Sequence, residues 1–225
     1  MSSLNVKAVG GLLALLIAVG ALLFVPAWTL DYWQAWVFLL VFGLSSLTAT
    51  IYLMTYNAGL LERRLHGGPT AEKMLSQKII MWIASVGFAA LLVVPALDHR
   101  AHWSTVPVYA VIAGNILIVL GWMIIIFVFR ENPFSSATVE IMADQRVIST
   151  GPYAIVRHPM YSGSILYFLG IPLALGSWWG LLVSILMTPV FILRLFDEEK
   201  FLAGNLPGYS EYVARVKYRL VPFAW

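Results

Sequence analysis

Apolar residues run along this chain in long, nearly uninterrupted blocks. Four of them, roughly 8–26, 33–56, 78–97 and 107–129, have the length of about 20 residues that a helix needs to cross a bilayer core. Polar or proline-containing connectors separate them, at Pro26–Asp31, Asn57–Gln77 and Asp98–Ser104. A fifth apolar region, roughly 160–195, is too long for one span. Gly176-Ser177 divides it, and Pro172 and Pro189 interrupt its halves, so the pattern predicts two short helices forming a hairpin. Backbone groups in lipid have to be satisfied internally, which makes helices the default. The expected fold class is all-α: a polytopic transmembrane helical bundle of about five spans, the last a helical hairpin, with a C-terminal cytoplasmic cap. Residues 1–130 form the N-terminal four-helix region and 131–225 the region able to carry chemistry.

Composition sharpens this picture. Of the 225 residues, 60% are hydrophobic and 11% charged, against about a quarter charged in soluble domains. The absence of cysteine removes disulfides, thiolate metal sites and a cysteine nucleophile. The net charge of +3 comes without a basic run interleaved with aromatics, so nucleic-acid binding has no support. The first block, Ala8–Val25, reads as a retained helix rather than a cleaved signal, because no small-x-small site precedes Trp28.

Charge also orients the chain. With the N-terminus in the cytoplasm, the connectors 57–77 and 130–158 and the tail from Arg194 all face the cytoplasm, and of the 14 Lys and Arg only Arg100 falls outside. Trp28, Trp33 and Trp103 then sit at outer span ends, where amphipathic rings anchor. Segment 57–77 reads as an amphipathic surface helix broken at Gly67-Gly68-Pro69.

Polar residues within the first four blocks, among them Gln34, Ser45, Ser46, Thr48 and Asn115, suit interhelical hydrogen bonding. Asp98-His99-Arg100-Ala101-His102 sets two histidines three apart, but zinc wants three or four ligands and no further His or Cys is near. A solvated loop is expected there and no metal site.

The C-terminal part differs. Gly151-Pro152-Tyr153, Arg157-His158-Pro159, Tyr161 and Gly163 collect at the mouth of a predicted helix whose first turn suits Pro159. Free backbone donors there can hold an anion. The hairpin then returns to the same face and ends in Arg194-Leu195-Phe196-Asp197-Glu198-Glu199, with Arg194 and Glu198 on one helix face. Charges at the end of an apolar helix are costly unless paired or used. Two readings stay open. Arg157 and Arg194 pair with Asp197, Glu198 and Glu199 to clip the tail down, or these groups line a functional site. The tail, Tyr209 to Pro222, reads as a short amphipathic helix with an extended end, either a cap or a lid over a pocket.

The ordered set Gly151-Pro-Tyr153, Arg157-His158-Pro159-x-Tyr161-x-Gly163, Glu198-Glu199-x-x-Leu202 and Tyr209-x-x-Tyr212 resembles the isoprenylcysteine carboxyl methyltransferase family and its bacterial and archaeal relatives. Related phospholipid methyltransferases share parts of it. The resemblance runs from about Asn132 to Pro222. It implies transfer of a methyl group from S-adenosylmethionine in a cytosolic pocket open to the bilayer, to a lipid-like or prenylated acceptor, with membrane lipids as surroundings. Carried over by position, Gln145, Arg146, Val147 and Ile148 would supply loop contacts to the cofactor. Tyr153, His158, Pro159 and Tyr161 would line its pocket and Glu198 would bind its ammonium. Arg194 and Arg157 would serve the reacting end. The connector Leu206-Pro207-Gly208 is one residue shorter than the family's. No GxGxxG occurs, which argues against a Rossmann-type methyltransferase. Arg157-His158-Pro159, Arg194 to Glu198 and Val216 to Pro222 also resemble membrane NADPH-dependent sterol reductases, although Met160-Tyr161 follows where those enzymes carry Asn-Tyr. A non-enzymatic membrane module is the third reading.

Overall fold

The computed structural model describes residues 3–225, which are all-helical apart from turns and extended connections. Five helices are long and apolar enough to cross a membrane: α1 (Ser3–Ala27), α2 (Trp33–Tyr56), α4 (Leu75–Ala101), α5 (Val108–Glu131) and α7 (Trp179–Asn205). This is an integral membrane protein. Between α2 and α4 lies the short α3 (Ala58–Leu65), whose first turn is capped by Asn57, with Oδ1 accepting from Leu60 N at 3.0 Å. A single 3-10 turn, Gly151–Ala154, precedes α6 (Pro159–Ala174), and α8 (Tyr209–Arg215) follows α7. The four early spans and the surface helix stand close to where the apolar pattern set them.

The fifth apolar region is a hairpin, as expected, but its arms are unequal. α6 has 16 residues, about 24 Å of helix, which falls short of the ~30 Å hydrocarbon core. α7 has 27 residues and runs through Pro189 unbroken, so the expectation of two short halves fails for this arm. Proline is tolerated inside membrane helices because neighbours re-satisfy the freed backbone group. The break comes at Gly176, whose φ of +72° lets the chain leave the helix in the left-handed region. Gly176 N donates to Leu173 O at 3.0 Å and Ser177 N to Pro172 O at 2.9 Å, closing the last turn.

That bend is held by the segment expected to be a solvated loop. Asp98 and His99 instead belong to the last turn of α4, and Asp98 is buried. Its carboxylate accepts from Ser177 Oγ at 2.5 Å, Ser104 Oγ at 2.6 Å and Ser104 N at 2.8 Å. Tyr32 stacks on His99 at 4.0 Å and donates to Leu175 O at 2.7 Å. An acid inside a membrane protein needs such donors, and here they pin the hairpin to α2 and α4. Exposed Trp28, Trp33, Trp103, Trp178 and Trp179 ring this end, as an interfacial belt would.

α5 and α6 approach backbone to backbone. A Cβ on Gly121 would lie 2.5 Å from Gly163 O, and one on Gly114 would lie 2.3 Å from Ala174 N and 2.7 Å from Gly170 O. Close backbone contact of this kind replaces the missing hydrophobic drive between helices in lipid. The core beside it, with Phe42, Leu91, Ile118 and Ile171, joins α2, α4, α5 and α6. Gly121→Leu is therefore expected to destabilise the bundle by at least the ~1–3 kcal/mol typical of overpacking. Gly20→Ala, with nothing within 4 Å, is the control. Thermal unfolding in detergent micelles checks the contrast, and equal midpoints would contradict this packing.

Candidate functional site: a polar-to-apolar cavity

At the end opposite the Asp98 cluster, connector 132–150, the start of α6, the last turns of α7 and helix α8 enclose a cavity of about 610 Å³. That is within the roughly 300–1,000 Å³ of small-molecule sites. Its wall changes character along its length. One end is built by Gln145, Arg146, Val147, Ile148, Tyr153, His158, Tyr161 and Glu198. The other lies between α4, α6 and α7 and is built by Ile80, Met81, Ala84, Phe88, Phe168, Val190 and Phe191. Phe168 closes this apolar end, edge-on to Phe88 at 6.3 Å and tilted on Phe191 at 4.9 Å.

The polar end owes its shape to two ion-pair systems. In the first, Glu199 gathers two arginines and a histidine. Arg157 Nε lies 2.9 Å from Oε1, His158 Nε2 lies 3.2 Å from Oε1 and Arg219 Nε lies 3.0 Å from Oε2. The extended tail runs alongside, with Arg157 N donating to Tyr218 O at 2.9 Å and His158 N to Arg219 O at 3.0 Å. Arg219 lies over the edge-on pair of rings Phe196 and Trp225, 5.3 and 5.4 Å from their centroids. So Arg157 and Glu199 do clip the tail, although Arg157 and His158 also line the cavity.

In the second, Arg194 turns away from the acids that follow it. Its Nη2 donates to Glu72 Oε1 at 2.8 Å and to Ala137 O at 3.2 Å, and Nη1 donates to Gln77 Oε1 at 2.9 Å. The other oxygen of Glu72 accepts from Val139 N at 3.2 Å. Glu72, Gln77 and Arg194 are all buried. Pairing of Arg194 with Asp197, Glu198 or Glu199 is thus corrected to pairing with Glu72. The energetic reason is that a buried guanidinium needs both countercharge and acceptors; Glu72 in the connector before α4 supplies the countercharge, and Gln77 on α4 and the Ala137 carbonyl supply further acceptors. Within Ala71-Glu72-Lys73, Glu72 carries no sequence signal that separates it from a solvated charge.

Glu198 is left for the cavity. Its Oε2 accepts from Tyr161 Oη at 2.7 Å, and Oε1 accepts no hydrogen bond from the described residues. Tyr153 lines the same cavity, its hydroxyl accepting from Asn132 Nδ2 at 2.9 Å and its carbonyl accepting from Tyr212 Oη at 2.8 Å. Leu206, Tyr209 and Tyr212 pack on Ile141, Val147 and Tyr153, so α8 roofs the cavity. Gly208, at φ +82°, turns the short connector into α8. Burial pushes the phenols of Tyr153, Tyr209 and Tyr212 above their ordinary pKa, and the Glu198 charge pushes the first two in the same direction. These phenols stay protonated at neutral pH and offer donors and π faces rather than a base. Pro159 is buried and lies outside the lining; it starts α6 at the position after His158.

The donor set fits S-adenosylmethionine. A carboxylate with a free oxygen suits an ammonium, tyrosine rings suit a sulfonium or a purine, and the 610 Å³ enclosure has room for the whole molecule. The comparisons with known proteins point the same way. Residues 109–207 match the phospholipid methyltransferase family. Phosphatidylethanolamine N-methyltransferase of Rattus norvegicus is 33% identical over 94 residues, 39% of this chain and 46% of the rat protein. The chain is thus matched to about half the length of that curated relative. The family resemblance read in the sequence is borne out on its phospholipid methyltransferase side. The matched stretch begins in α5 and ends just after α7, taking in Tyr153 to Gly163 and Arg194 to Glu199. α3, Glu72, Gln77 and the α8 roof lie outside it.

Glu72→Ala is expected to cost about 3–5 kcal/mol, because it strands a buried guanidinium. Lys73→Ala removes only the exposed pair with Glu140 at 3.4 Å and is expected to change stability by no more than about 1 kcal/mol. Chemical or thermal unfolding of the two variants measures the difference, and similar losses would show that Arg194 does not depend on Glu72.

Proposed function

We propose that this protein is an integral membrane methyltransferase that uses S-adenosylmethionine to methylate an amphiphilic acceptor drawn from the bilayer. The observation that carries the reading is the continuity of one cavity from the Glu198 end to the Phe88–Phe168–Phe191 end. A polar, charged cofactor and an apolar acceptor can meet in it without either entering the wrong medium. The matched family and the name of the rat relative support a phospholipid amine as acceptor. A prenylated cysteine carboxylate is the competing acceptor.

In this reading the cofactor supplies an electrophilic methyl group. The chain's residues position and desolvate. Glu198, held in place by the Tyr161 hydroxyl, accepts the cofactor's ammonium through its second oxygen. Connector residues Gln145 to Ile148 close over the opposite side, with Gln145 fixed by the Met142 N to Oε1 bond of 3.1 Å. Tyr153 and His158 complete the polar wall. The α8 roof keeps water out while the acceptor's head group approaches from between α4, α6 and α7. Charge is dispersed in such a displacement, so orientation in a water-poor site can supply much of the rate. Arg194 keeps the role of a wall residue whose charge is already balanced by Glu72. Arg157 stands likewise beside Glu199. Both shape the reacting end rather than transfer protons.

The active face is assigned to the cytoplasm. α3, connectors 66–74 and 132–150, and the tail share one end of the bundle through the Arg64–Ser135, Glu72–Arg194 and Arg157–Glu199 contacts. With the N-terminus inside, 13 of the 14 Lys and Arg lie at that end and Arg100 at the other, as the positive-inside rule requires. A bacterial or archaeal plasma membrane is the setting that fits the resemblance.

Calorimetric titration of the purified protein with S-adenosylhomocysteine is expected to give saturable binding, and titration with NADPH none. Glu198→Gln should weaken S-adenosylhomocysteine at least tenfold. Incubation with labelled cofactor and extracted lipids, followed by mass spectrometry, identifies the acceptor. Binding of NADPH without S-adenosylhomocysteine would sink the proposal in favour of a reductase.

A further inference from the structure

Charge in the cavity wall does not balance residue by residue. Arg157 is matched by Glu199 and Arg194 by Glu72, each within 2.9 Å. Arg146 and Arg64 also line the cavity, and no carboxylate among the described residues lies within 4.0 Å of either; Arg146 is exposed to solvent, whereas Arg64, on the surface helix α3, is half-buried. Its Nη1 donates to Ser135 O at 3.0 Å and contacts Met160 Sδ at 4.0 Å, and the guanidinium lies 4.6 Å over the Phe129 ring. A carbonyl and a ring face orient the group without neutralising it. Burial lowers its pKa to about 10, so the group remains a cation at neutral pH. An arginine fork is shaped to receive a carboxylate or phosphate through parallel N–H donors, and a desolvated cation without countercharge is costly unless a ligand supplies one.

We propose that Arg64 is an anion-recognition residue of this cavity, receiving an oxyanion group of the bound ligands. Two sources share that chemistry: the carboxylate of the cofactor's amino-acid end and the phosphate of a lipid acceptor. Glu198 and Arg64 then form a complementary pair of opposite charge, and the phenol of Tyr153 feels both of them. The residue comes from α3, outside the matched stretch 109–207, so the N-terminal half contributes to recognition as well as to the membrane anchor. This inference rests on the methyltransferase reading for the identity of the ligands, while the geometry of an unbalanced cation stands without it.

The test is a set of calorimetric titrations of the intact protein in detergent with three probes: S-adenosylhomocysteine, which carries the carboxylate; 5′-methylthioadenosine, which lacks the amino-acid end; and dodecyl phosphate. Arg64→Gln is expected to weaken one anionic probe at least tenfold and to leave 5′-methylthioadenosine unchanged. Arg64→Lys should recover most of the loss. The probe that weakens names the source, cofactor carboxylate or lipid phosphate. Unchanged affinity for all three would overturn the proposal. So would an equal loss for all three, 5′-methylthioadenosine included, which would mean that Arg64 only holds α3 against the connector. If the wild-type protein binds neither adenosine compound, the methyltransferase reading fails. In that case Arg64-dependent binding of dodecyl phosphate would still uphold the anion site, and its absence would end that too.

Discussion

The site depends first on how Arg194 is buried. A guanidinium on the last turns of a membrane helix has two ways to stay charged: reach water, or bring countercharge in. Here it brings countercharge in. Glu72 comes from the connector just before α4, Gln77 from the first turn of α4, and the carbonyl of Ala137 from the connector after α5. Three segments far apart in the chain are therefore fixed around one side chain. Because Glu72 also takes the Val139 amide, the same contact sets the path of connector 132–150, which forms one wall of the cavity. With Arg194 hydrogen-bonded from that side, Glu198 on the next turn makes no ion pair within 4.0 Å among the described residues and lines the cavity instead.

The Glu199 cluster does the corresponding work for the tail. One carboxylate shared by Arg157, His158 and Arg219 fixes the end of the chain against the start of α6, and this carries α8 across the opening. The two adjacent acids thus divide their tasks by their surroundings: Glu199 is engaged by Arg157, His158 and Arg219 and holds structure, and Glu198 holds one tyrosine hydroxyl and is available to a ligand. At the far end of the bundle Asp98 plays a similar part by collecting the Ser104 and Ser177 donors. Each buried carboxylate in the bundle's two ends is accounted for by named donors, as a low-dielectric interior demands.

Much of this was legible in the sequence, and the failures have physical causes. The spans could be read because lipid accepts few alternatives to an apolar helix, and the hairpin break because Gly176-Ser177 interrupts an otherwise apolar run. α7 was read as too short because proline was given its soluble-protein meaning, whereas Pro189 sits in a helix whose neighbours tolerate it. The Asp98 segment was read as solvated because its donors come from Ser104 and from Ser177, 79 residues later. Glu72 was missed for the same reason. It lies 122 residues from Arg194, and a Glu beside a Lys in a polar connector has the pattern of a surface charge. Motif residues are found by their spacing along the chain, but the partners that neutralise them are chosen by the fold.

That distinction bears on Arg64. Read in the sequence, Arg63 and Arg64 together counted only as topogenic charge, two equal contributions to orientation. The fold separates them. Arg63 donates to Pro133 O at 2.5 Å and lies outside the cavity lining, its Nε buried without a hydrogen-bond partner, while Arg64 enters the cavity wall beside Phe129 and Ser135. A charge placed only for topology has no reason to be desolvated, since the positive-inside preference acts through groups that remain at the wet face. Turning Arg64 into a cavity wall without a carboxylate partner is a cost that orientation does not require. The same cost is absent at Arg157 and Arg194, where the fold supplies an acid each time. What distinguishes Arg64 from those two buried arginines is therefore a countercharge left to come from outside the chain.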